Sequence, residues 1–464
     1  MPTFNPQPSA LPPRADHRGS PSPSTPAPIT HVEEWLAALL LVLTLSWSML
    51  PSGLSWNFNR LGEDLTGGSV VVQLQWTSLF VLAGALCLFR FEKFQQVIFG
   101  LNPFLVAILL FSLANASWSV LPIVTLKKVV QLIGLLMIAV ALQVTEMSRT
   151  RGLKLAFGTL LAVQVASVLA VLLVPDIAIE YTGMADGAWE GGAWRGVTDQ
   201  KNMYGTVTAY ATFMWVCLFA SPKNRISPLL FLVVLGFCGF NLLMTKSTTS
   251  LLMATLSSGL FILLRRKYVA DDFVFARAFL IVGGLVLIYL HVLYVVQGRL
   301  PTWDEFFKPV ADLLGKRTDI SGRFDIWGMV LEEIDKHPWL GVGFGAFWMG
   351  TGSASQSIID RLYWLPFQAH NGYLDIYNEL GIIGLALFAG FILAHVITLF
   401  RLSRFSRESS AFHGALLLTV MAHNVTESTL FHGLNLLFIL VVFSSVAATT
   451  QLRRFRQREA EAQA

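Results

Sequence analysis

The chain is poor in charged residues and in cysteine, and both shortages narrow the classes of protein to which it can belong. Only 13% of its 464 residues are charged, whereas a soluble domain has about 25% charged residues. The three cysteines, Cys87, Cys217 and Cys238, all fall inside apolar runs. They therefore cannot build an exposed disulfide framework or a metal cluster, and we expect them to be small core residues. A soluble globular domain is excluded on composition.

Apolar runs long enough to cross a bilayer recur along the whole chain. A transmembrane helix needs about 20 predominantly apolar residues. Twelve candidate spans lie at about 34–51, 69–89, 97–114, 123–143, 155–174, 203–220, 227–244, 248–264, 278–297, 380–400, 411–426 and 434–450. This pattern predicts an all-α polytopic membrane protein with about 12 transmembrane helices.

The first thirty residues differ from the rest of the chain. Nine of the nineteen prolines fall before residue 30, mixed with Ser and Thr. No apolar segment precedes them, so we expect a disordered tail rather than a cleaved signal peptide. The expected organisation is a Pro-rich tail at 1–31, a transmembrane domain at 32–450 and a basic tail at 451–464.

The basic residues of alternate loops predict the orientation in the membrane. With twelve spans both termini share one side, and that side has twenty basic residues, nearly all close to span ends. The opposite loops have eleven, seven of them in the single segment 298–370. By the positive-inside rule the first side is cytoplasmic, as are both termini. The net charge of +4 then reflects topology rather than nucleic-acid binding, and 175–202 and 298–370 are the long external segments.

The segment 298–370 has an amphipathic stretch followed by a glycine-rich one. An apolar stripe predicts a helix from about Gly322 to Lys336, which ends before Pro338. Glycines at 341, 343, 345 and 350 follow, among aromatic residues. Such glycines could cradle a phosphate, but they lack the strand-to-helix setting of a nucleotide loop. A helix lying on the membrane surface is the favoured interpretation.

Several basic residues lie on the predicted external face, although the positive-inside rule favours basic residues on the cytoplasmic side. They are Arg195, Lys201 and Arg323, together with Lys127 and Lys128 in the outer turns of the fourth span. Each one alone is explained by a side chain that reaches towards lipid headgroups. Several on one side favour an anionic ligand such as a diphosphate, because the guanidinium group binds phosphate oxygens through paired hydrogen bonds.

His370 is the best candidate for a general base. Its ordinary pKa near 6.5 lets an imidazole accept a proton from a hydroxyl group at neutral pH. It precedes a predicted helix in which Tyr373, Leu374 and Tyr377 follow at three, four and seven residues, a spacing that favours a shared face. The alternative is a histidine that forms a structural hydrogen bond at a helix start.

His423, Asn424 and Glu427 form a second polar cluster near the outer end of the eleventh span. His423 and Glu427 are expected to orient His370 or bind a sugar, and the alternative is a buried polar pair that joins two helices. No metal-ligand spacing of a known motif is present, and no DxD pair occurs in an external segment. We therefore expect no metal and no cofactor, with arginines that neutralise the leaving group.

Four motifs resemble one known family. They are RGVTDQKN at 195–202, SGRFDIW at 321–327, HPWLGVGFGAF at 337–347 and AHNGYLDIYNELGIIG at 369–384. Over residues 190–450 the chain resembles the O-antigen ligase and polymerase family, and most of all its exopolysaccharide-polymerase branch. The segment 298–370 is longer than a minimal ligase loop needs, which is a departure that suggests a different acceptor.

The resemblance implies an inverting, metal-independent glycosyltransferase of GT-C-like architecture in the inner membrane of a bacterium. It implies transfer of a glycan from an undecaprenyl-diphosphate carrier to an acceptor sugar hydroxyl on the periplasmic side. By motif, His370 would be the general base, Arg195 and Arg323 would bind the donor diphosphate, and Lys201 is a weaker carry-over. Lys127, Tyr373 and Glu427 are additions from topology and helix geometry.

Polymerisation of exopolysaccharide or O-antigen is the favoured role, and three alternatives stay open. They are an O-antigen ligase acting on lipid A-core, transfer to a protein, and a transporter of polyisoprenoid-linked glycans or small solutes. A transporter usually has ionisable residues near the bilayer midplane and two matching halves, whereas here the ionisable residues gather at the outer span ends. Membrane lipids, a chain-length regulator and other assembly proteins are the expected partners, and nucleic acid is not.

Overall fold

The structure is a computed structural model, and it describes residues 31–51, 54–55, 69–183, 189–222, 224–265, 321–362 and 366–463. The predicted Pro-rich tail, apart from its last residue, lies outside these ranges. So do the predicted span 278–297 and the first part of the segment 298–370, up to residue 320.

The described residues form fifteen helices and one two-stranded sheet. Before the sheet come α1 His31–Met49, α2 Val70–Phe89, α3 Phe91–Ile98, α4 Pro103–Asn115, α5 Pro122–Val144, α6 Arg149–Leu173 and α7 Pro175–Ala178. The strands are β1 Ile179–Gly183 and β2 Trp189–Trp194. After them come α8 Lys201–Ala220, α9 Pro228–Met244, α10 Thr248–Arg265, α11 Ser321–Ile334, α12 Gln356–Leu362, α13 Gly372–Ser403, α14 Arg407–His423 and α15 Leu436–Gln463.

Eight of these helices are long and apolar enough to cross a membrane, or nine if α3 and α4 are one broken span. The largely helical, polytopic membrane fold expected from the sequence is confirmed. The number twelve stays a prediction, because α9 and α14 have only 17 residues each and the span 278–297 is not described.

The predicted span 97–114 is a bent pair of helices. α3 and α4 meet at 91°. Asn102 fixes the bend, since its Oδ1 accepts the Phe104 N–H at 3.1 Å while its Nδ2 donates to the Phe391 carbonyl at 3.0 Å. Pro103 then starts α4, where its missing N–H costs nothing. The predicted span contains almost all of α4 but only the last two residues of α3, because the rest of α3, FEKFQQ, is amphipathic rather than apolar.

A β-hairpin adds a small sheet to the expected all-helical architecture. It lies in the segment 175–202, which the sequence predicts to be external, and there β1 and β2 pair antiparallel with Ile179 opposite Trp194 and Glu180 opposite Ala193. The Gly-rich composition of this segment concealed the two short strands in the sequence. The hairpin leads through residues 195–200 into the start of α8.

The helices divide into buried and lipid-facing ones. Within the most apolar 18-residue stretch of each helix, 78% of α8 and 72% of α15 is buried inside the protein, whereas only 28% of α2 and of α10 is. Leu88, Phe89 and Leu172 are more than 70% exposed, as expected for side chains whose solvent is lipid. The core that positions the external residues is therefore built around α8 and α15.

The predicted amphipathic helix is present as α11, and its apolar stripe packs against protein. Ile326, Val330 and Ile334 are buried in a small cluster that also contains Phe347 and Trp348. Leu374 and Tyr377 of α13 pack against this cluster. Contact with α13 accounts for the stripe, so the pattern does not require a membrane surface.

The glycine-rich stretch after α11 interlocks with a break in α13. Gly381 has φ 65° inside that helix, and around it Val342 and Gly343 donate backbone hydrogen bonds to the Asn378 and Glu379 carbonyls at 3.0 and 3.1 Å. A Cβ on Gly341 would lie 2.3 Å from the Glu379 carbonyl, and one on Gly381 would lie 2.3 Å from that of Trp339. The glycines permit this close backbone approach.

Candidate active site

Glu427 lies at the centre of a polar cluster at one end of the bundle, the end that the sequence predicts to be external. One carboxylate oxygen, Oε1, accepts a hydrogen bond from Nη2 of Arg323 at 3.0 Å. The other, Oε2, lies 3.1 Å from Nδ1 of His370. Nη1 of Arg323 also donates to the Thr426 carbonyl at 2.6 Å. The structure therefore brings together three of the residues expected from the sequence: Arg323, His370 and Glu427.

His370 is held in an unusual backbone conformation just before α13. Its φ is +52°, a left-handed value that few non-glycine residues adopt and that surrounding contacts must enforce. The residue before it is fixed on both sides, since the Ala369 N–H donates to the carboxylate of Asp375 and the Ala369 carbonyl accepts from Nε1 of Trp327. These contacts orient the imidazole towards Glu427.

The residues after His370 anchor it from the other side. Asn371 caps α13 by accepting the backbone N–H groups of Tyr373 and Leu374. The Gly372 N–H donates to the Asn424 carbonyl at 2.9 Å, and a Cβ on Gly372 would lie 2.1 Å from the Asn424 side chain. The AHNG motif therefore joins the start of α13 to the loop that carries Glu427.

Because His370 lies outside the helix, the spacing argument for Tyr373 does not apply. The Tyr373 hydroxyl donates to the Met421 carbonyl at 2.8 Å, and its ring lies 6.1 Å from that of Phe388. His423 is the last residue of α14 and lines the same cavity as Glu427. Roles for Tyr373 and His423 in orienting the base or binding a sugar stay predictions.

Gln368 joins the cluster and was missed in the sequence. Its Nε2 lies 3.2 Å from Oε2 of Glu427 and 3.2 Å from Nδ1 of His370. Its Oε1 accepts the Ser428 N–H at 3.3 Å. A glutamine in a loop carries no signal of its own, although its place two residues before His370 could have drawn attention to it.

The charges in the cluster favour an ionised Glu427. Burial alone would raise the pKa of its carboxyl, but the hydrogen bond with His370 and the positive charge of Arg323 outweigh burial and lower that pKa below its ordinary range. A carboxylate only accepts hydrogen bonds, so Nδ1 of His370 must carry the hydrogen. In the neutral imidazole Nε2 is then the nitrogen with the free lone pair, which is the arrangement of a general base.

A cavity of about 240 Å³ opens beside Glu427. Its walls include Gln200, Asn202, Gln368, Glu427 and His432. We call it the outer cavity. His432 was missed in the sequence, and it also lines a neighbouring space. Burial lowers the pKa of its imidazole, although the carboxylate of Asp375 acts in the opposite direction.

The neighbouring space, the inner chamber, has a volume of about 220 Å³. It shares Phe367 and His432 with the outer cavity, and its walls also include Lys128, Gly345 and Glu379. The Gly345 N–H donates to Oε2 of Glu379 at 2.8 Å. The two spaces therefore adjoin at Phe367 and His432, and both have polar side chains in their walls.

A lateral groove of about 440 Å³ lies between α2 and α5. Val72, Trp76 and Phe80 line it, together with Lys127 and Lys128. Lys128 also lines the inner chamber. Lys127 is exposed, and of these three spaces it lines only the groove. Of the two lysines, Lys128 is the one that shares a space with His432 and Glu379, and a role for Lys127 stays a prediction.

Arg195 and Lys201 occupy the turn between the hairpin and α8. Nε of Arg195 donates to the Ile177 carbonyl at 2.6 Å, and the Lys201 N–H donates to Oε2 of Glu180 at 2.9 Å. The neighbouring residues Gln200 and Asn202 are described wall residues of the outer cavity, whereas Arg195 and Lys201 are not. The turn thus reaches the site, while the roles of its two cations stay predictions.

One family of known proteins matches the chain. The family described as O-antigen ligase matches residues 231–389, a stretch that contains Arg323 and His370. No curated protein matches the chain. The similarity to this family, together with the long apolar helices, points to a membrane protein that processes glycans. Residues 231–389, less than half of the chain, are therefore similar to the O-antigen ligase family.

Proposed function

We propose that the protein transfers a glycan from an undecaprenyl-diphosphate donor to an acceptor sugar hydroxyl, with His370 as the general base. The observation that carries this proposal is the single carboxylate, Glu427, that contacts both His370 and Arg323. It links the group that accepts the acceptor's proton to a cation suited to the donor's phosphates. The reaction would take place on the periplasmic side of the inner membrane, with both termini in the cytoplasm.

The proposed step is a direct displacement with inversion. The acceptor O–H bond breaks and its proton passes to Nε2 of His370. The acceptor oxygen forms the new bond to the anomeric carbon, and the bond from that carbon to the diphosphate breaks with its electron pair. Glu427 stabilises the imidazolium that forms, because its carboxylate faces Nδ1 at 3.1 Å.

Arg323 is available to the leaving diphosphate. Its side chain keeps 31% exposure although it is paired with Glu427. A guanidinium has five N–H donors, and the contacts to Glu427 and Thr426 use one on each terminal nitrogen. The remaining donors can bind phosphate oxygens. Arg195 and Lys201 are proposed as further contacts to the diphosphate, since the adjacent Gln200 and Asn202 line the outer cavity.

The groove between α2 and α5 fits the lipid part of the donor. Its apolar walls suit a polyisoprenoid chain, and Lys128 lies where the groove adjoins the inner chamber. A diphosphate at this position would meet a positive charge while the chain remains among apolar side chains. We propose Lys128, ahead of Lys127, as the lysine that contacts the donor, and neither a metal nor a cofactor is part of the proposal.

The acceptor distinguishes a polymerase from a ligase. We favour polymerisation of exopolysaccharide or O-antigen, because the motifs around 321–347 and 369–384 resemble that branch and the external segment 298–370 is long. With a second lipid-linked repeat unit as acceptor, the product would be a longer chain on the carrier. With lipid A-core as acceptor, the product would be a ligated lipopolysaccharide.

The test is transfer by the purified protein with a lipid-linked repeat unit, alone or with lipid A-core. We expect longer chains from the donor alone, and loss of about 10²–10⁴-fold in kcat for His370→Ala. His337→Ala is the matched control, because His337 is an exposed histidine in the same external region. Retained transfer in His370→Ala would refute the base assignment, and product formed only with lipid A-core would refute the polymerase.

A further inference from the structure

A second cavity lies at the end of the bundle opposite to Glu427. α14 ends and α15 begins near the candidate site, at His423 and Leu436, whereas this cavity is lined by the other ends of the same two helices. Its volume is about 470 Å³, within the range of small-molecule sites. It shares no wall residue with the outer cavity, the inner chamber or the lateral groove. Glycan transfer as proposed above does not use it.

Two arginines line the mouth of this opposite-end cavity, and neither makes a close ion pair there. Arg149 lies 3.7 Å from Oε1 of Glu408, and Arg454 lies 3.5 Å from Oε1 of Glu146. Both separations exceed the usual 2.7–2.9 Å of a charge-assisted hydrogen bond. Glu146 is instead bound closely by Lys93 at 2.9 Å.

Arg149 and Arg454 share the mouth with Glu146 and Glu408. Lys93, which is not a wall residue, binds Glu146 closely at 2.9 Å, so Arg454 has no carboxylate to itself. The Nε atom of Arg149 is buried and has no hydrogen-bond partner among the described residues. A buried charged donor without a partner is costly, so an anion at the mouth would meet a group that lacks one.

Deeper in the cavity lies an unpartnered imidazole. His413 is 5% exposed, and its Nδ1 lies 2.9 Å from the Ser444 hydroxyl. Its other nitrogen, Nε2, is buried and has no partner within the described part of the chain. Ser444 also contacts Nε2 of His395 at 3.2 Å, so its one hydroxyl hydrogen goes to one of the two imidazoles. When it goes to Nδ1 of His413, Nε2 of that neutral imidazole carries the hydrogen and can donate it. His413 and Ser444 are both wall residues of the cavity.

Apolar side chains form another part of the walls. They include Leu41, Leu45, Met214, Leu416 and Leu440. The cavity thus has two arginines at its mouth, an unpartnered imidazole nitrogen below them and a set of apolar side chains, beside polar wall residues such as Ser409 and Gln451. An inorganic anion would contact only the arginines at the mouth, and a hydrocarbon would contact only the apolar side chains of the walls.

We propose that this cavity binds a glycerophospholipid from the membrane leaflet at this end of the bundle. Its phosphate would accept hydrogen bonds from Arg149 and Arg454. An ester carbonyl, which lies a few atoms below the phosphate in such lipids, would accept a hydrogen bond from Nε2 of His413. One acyl chain would lie against the leucines. Each part of the lipid then matches one observed feature of the cavity.

The test is native mass spectrometry of the full chain with phosphatidylglycerol. The comparison ligands are a diacylglycerol with the same acyl chains, a polyprenyl monophosphate and inorganic phosphate. We expect tight retention of phosphatidylglycerol alone, weakened about tenfold or more in Arg149→Gln, Arg454→Gln and His413→Phe, since each removes one hydrogen bond to the ligand. Arg401→Gln is the control, because Arg401 is exposed at the same end and is not a wall residue.

Several results would overturn the proposal. Diacylglycerol bound as tightly as phosphatidylglycerol would mean that the phosphate is not recognised. Equal binding of inorganic phosphate would indicate a simple anion site, and preference for the polyprenyl phosphate would exclude the ester contact. Equal retention in Arg454→Gln and Arg401→Gln would also contradict it. Arg454 lies at the mouth with 37% of its side chain exposed, so its variant keeps the test decisive if Arg149→Gln does not fold.

Discussion

Nδ1 of His370 lies 3.1 Å from Oε2 of Glu427, although 57 positions separate the two residues in the chain. The other oxygen of the same carboxylate accepts a hydrogen bond from Arg323, which is 104 positions away. A proton acceptor and a cation are thus held by one side chain. A change at Glu427 is therefore expected to affect both the base and the donor contact.

Glu427→Gln should lower kcat by about 10²–10⁴-fold, the usual contribution of general-base catalysis. The amide that replaces the carboxylate can direct its N–H₂ group at Nδ1, which places the hydrogen on Nε2 and removes the base. Transfer kinetics of the purified variant measure this loss. Glu332→Gln is the control, since Glu332 is an exposed carboxylate of the same external region. Wild-type kcat in Glu427→Gln would contradict the assignment of His370 as a base positioned by Glu427.

The same variant should reveal a pH-dependent stability. The pKa of Glu427 is lowered in the folded protein, so its carboxylate stabilises the fold above the unfolded glutamate pKa of about 4.3. That contribution is lost as the pH falls through the lower, folded value. Thermal unfolding in detergent should therefore separate wild type from Glu427→Gln at pH 7, by about 1–3 kcal/mol. The separation should shrink below about pH 4.3, and one that grows on acidification would refute the prediction.

Asp375→Asn should disturb His370 without touching it. The Asp375 carboxylate accepts hydrogen bonds from Nε1 of Trp348, at 2.8 Å, and from the Ala369 N–H. These bonds hold Ala369, which is the residue next to His370. An amide keeps one accepting oxygen, so one buried donor loses its partner at a cost of about 1–3 kcal/mol. We expect a lower melting temperature and a lower kcat with little change in KM. Asp360→Asn, at an exposed position of α12, is the control for the loss of a charge.

Gly341→Ala should destabilise the fold more than Gly352→Ala. Both glycines have positive φ, 70° and 81°, so alanine at either position pays roughly 1–2 kcal/mol for the left-handed conformation. At Gly341 the new Cβ would also lie 2.3 Å from the Glu379 carbonyl, whereas nothing lies within 4 Å at Gly352. Comparing the melting temperatures of the two variants separates the cost of the left-handed backbone conformation from the cost of the steric contact with Glu379. Equal losses would mean that the interlocking of residues 338–343 with α13 does not depend on the missing side chain.

Lys128→Met should weaken donor binding more than Lys127→Met. Lys128 lines both the lateral groove and the inner chamber, while Lys127 lines the groove. Removing one charge-assisted contact to phosphate should raise KM for the lipid-linked donor about tenfold or more. Lys127→Met should change it by no more than about threefold, as for an exposed charge. KM values for the two variants at one acceptor concentration decide the matter, and the reverse order would contradict the placement of the donor in the groove.

Much of the fold follows from local patterns that the sequence contains. Runs such as 123–143 and 155–174 are long enough to span a bilayer, and the matching helices are Pro122–Val144 and Arg149–Leu173. The stripe from Phe324 to Ile334 predicts α11 because apolar residues recur at helical spacing. Bends and strand pairing are less visible, so the break at Asn102 and the hairpin after α7 were not foreseen.

The sequence by itself determined the membrane class and the helical segments, and it singled out three of the central residues, Arg323, His370 and Glu427, because these depend on residue type and on neighbours in the chain. The tertiary structure decided what those residues contact. Of the two neighbouring lysines of α5, Lys128 lines both the groove and the inner chamber while Lys127 lines the groove, and the structure added Gln368 and His432 to the polar residues near Glu427. It also joined Glu427 to residues 57 and 104 positions away. Contacts at such separations depend on how the helices pack, and no local pattern records that packing.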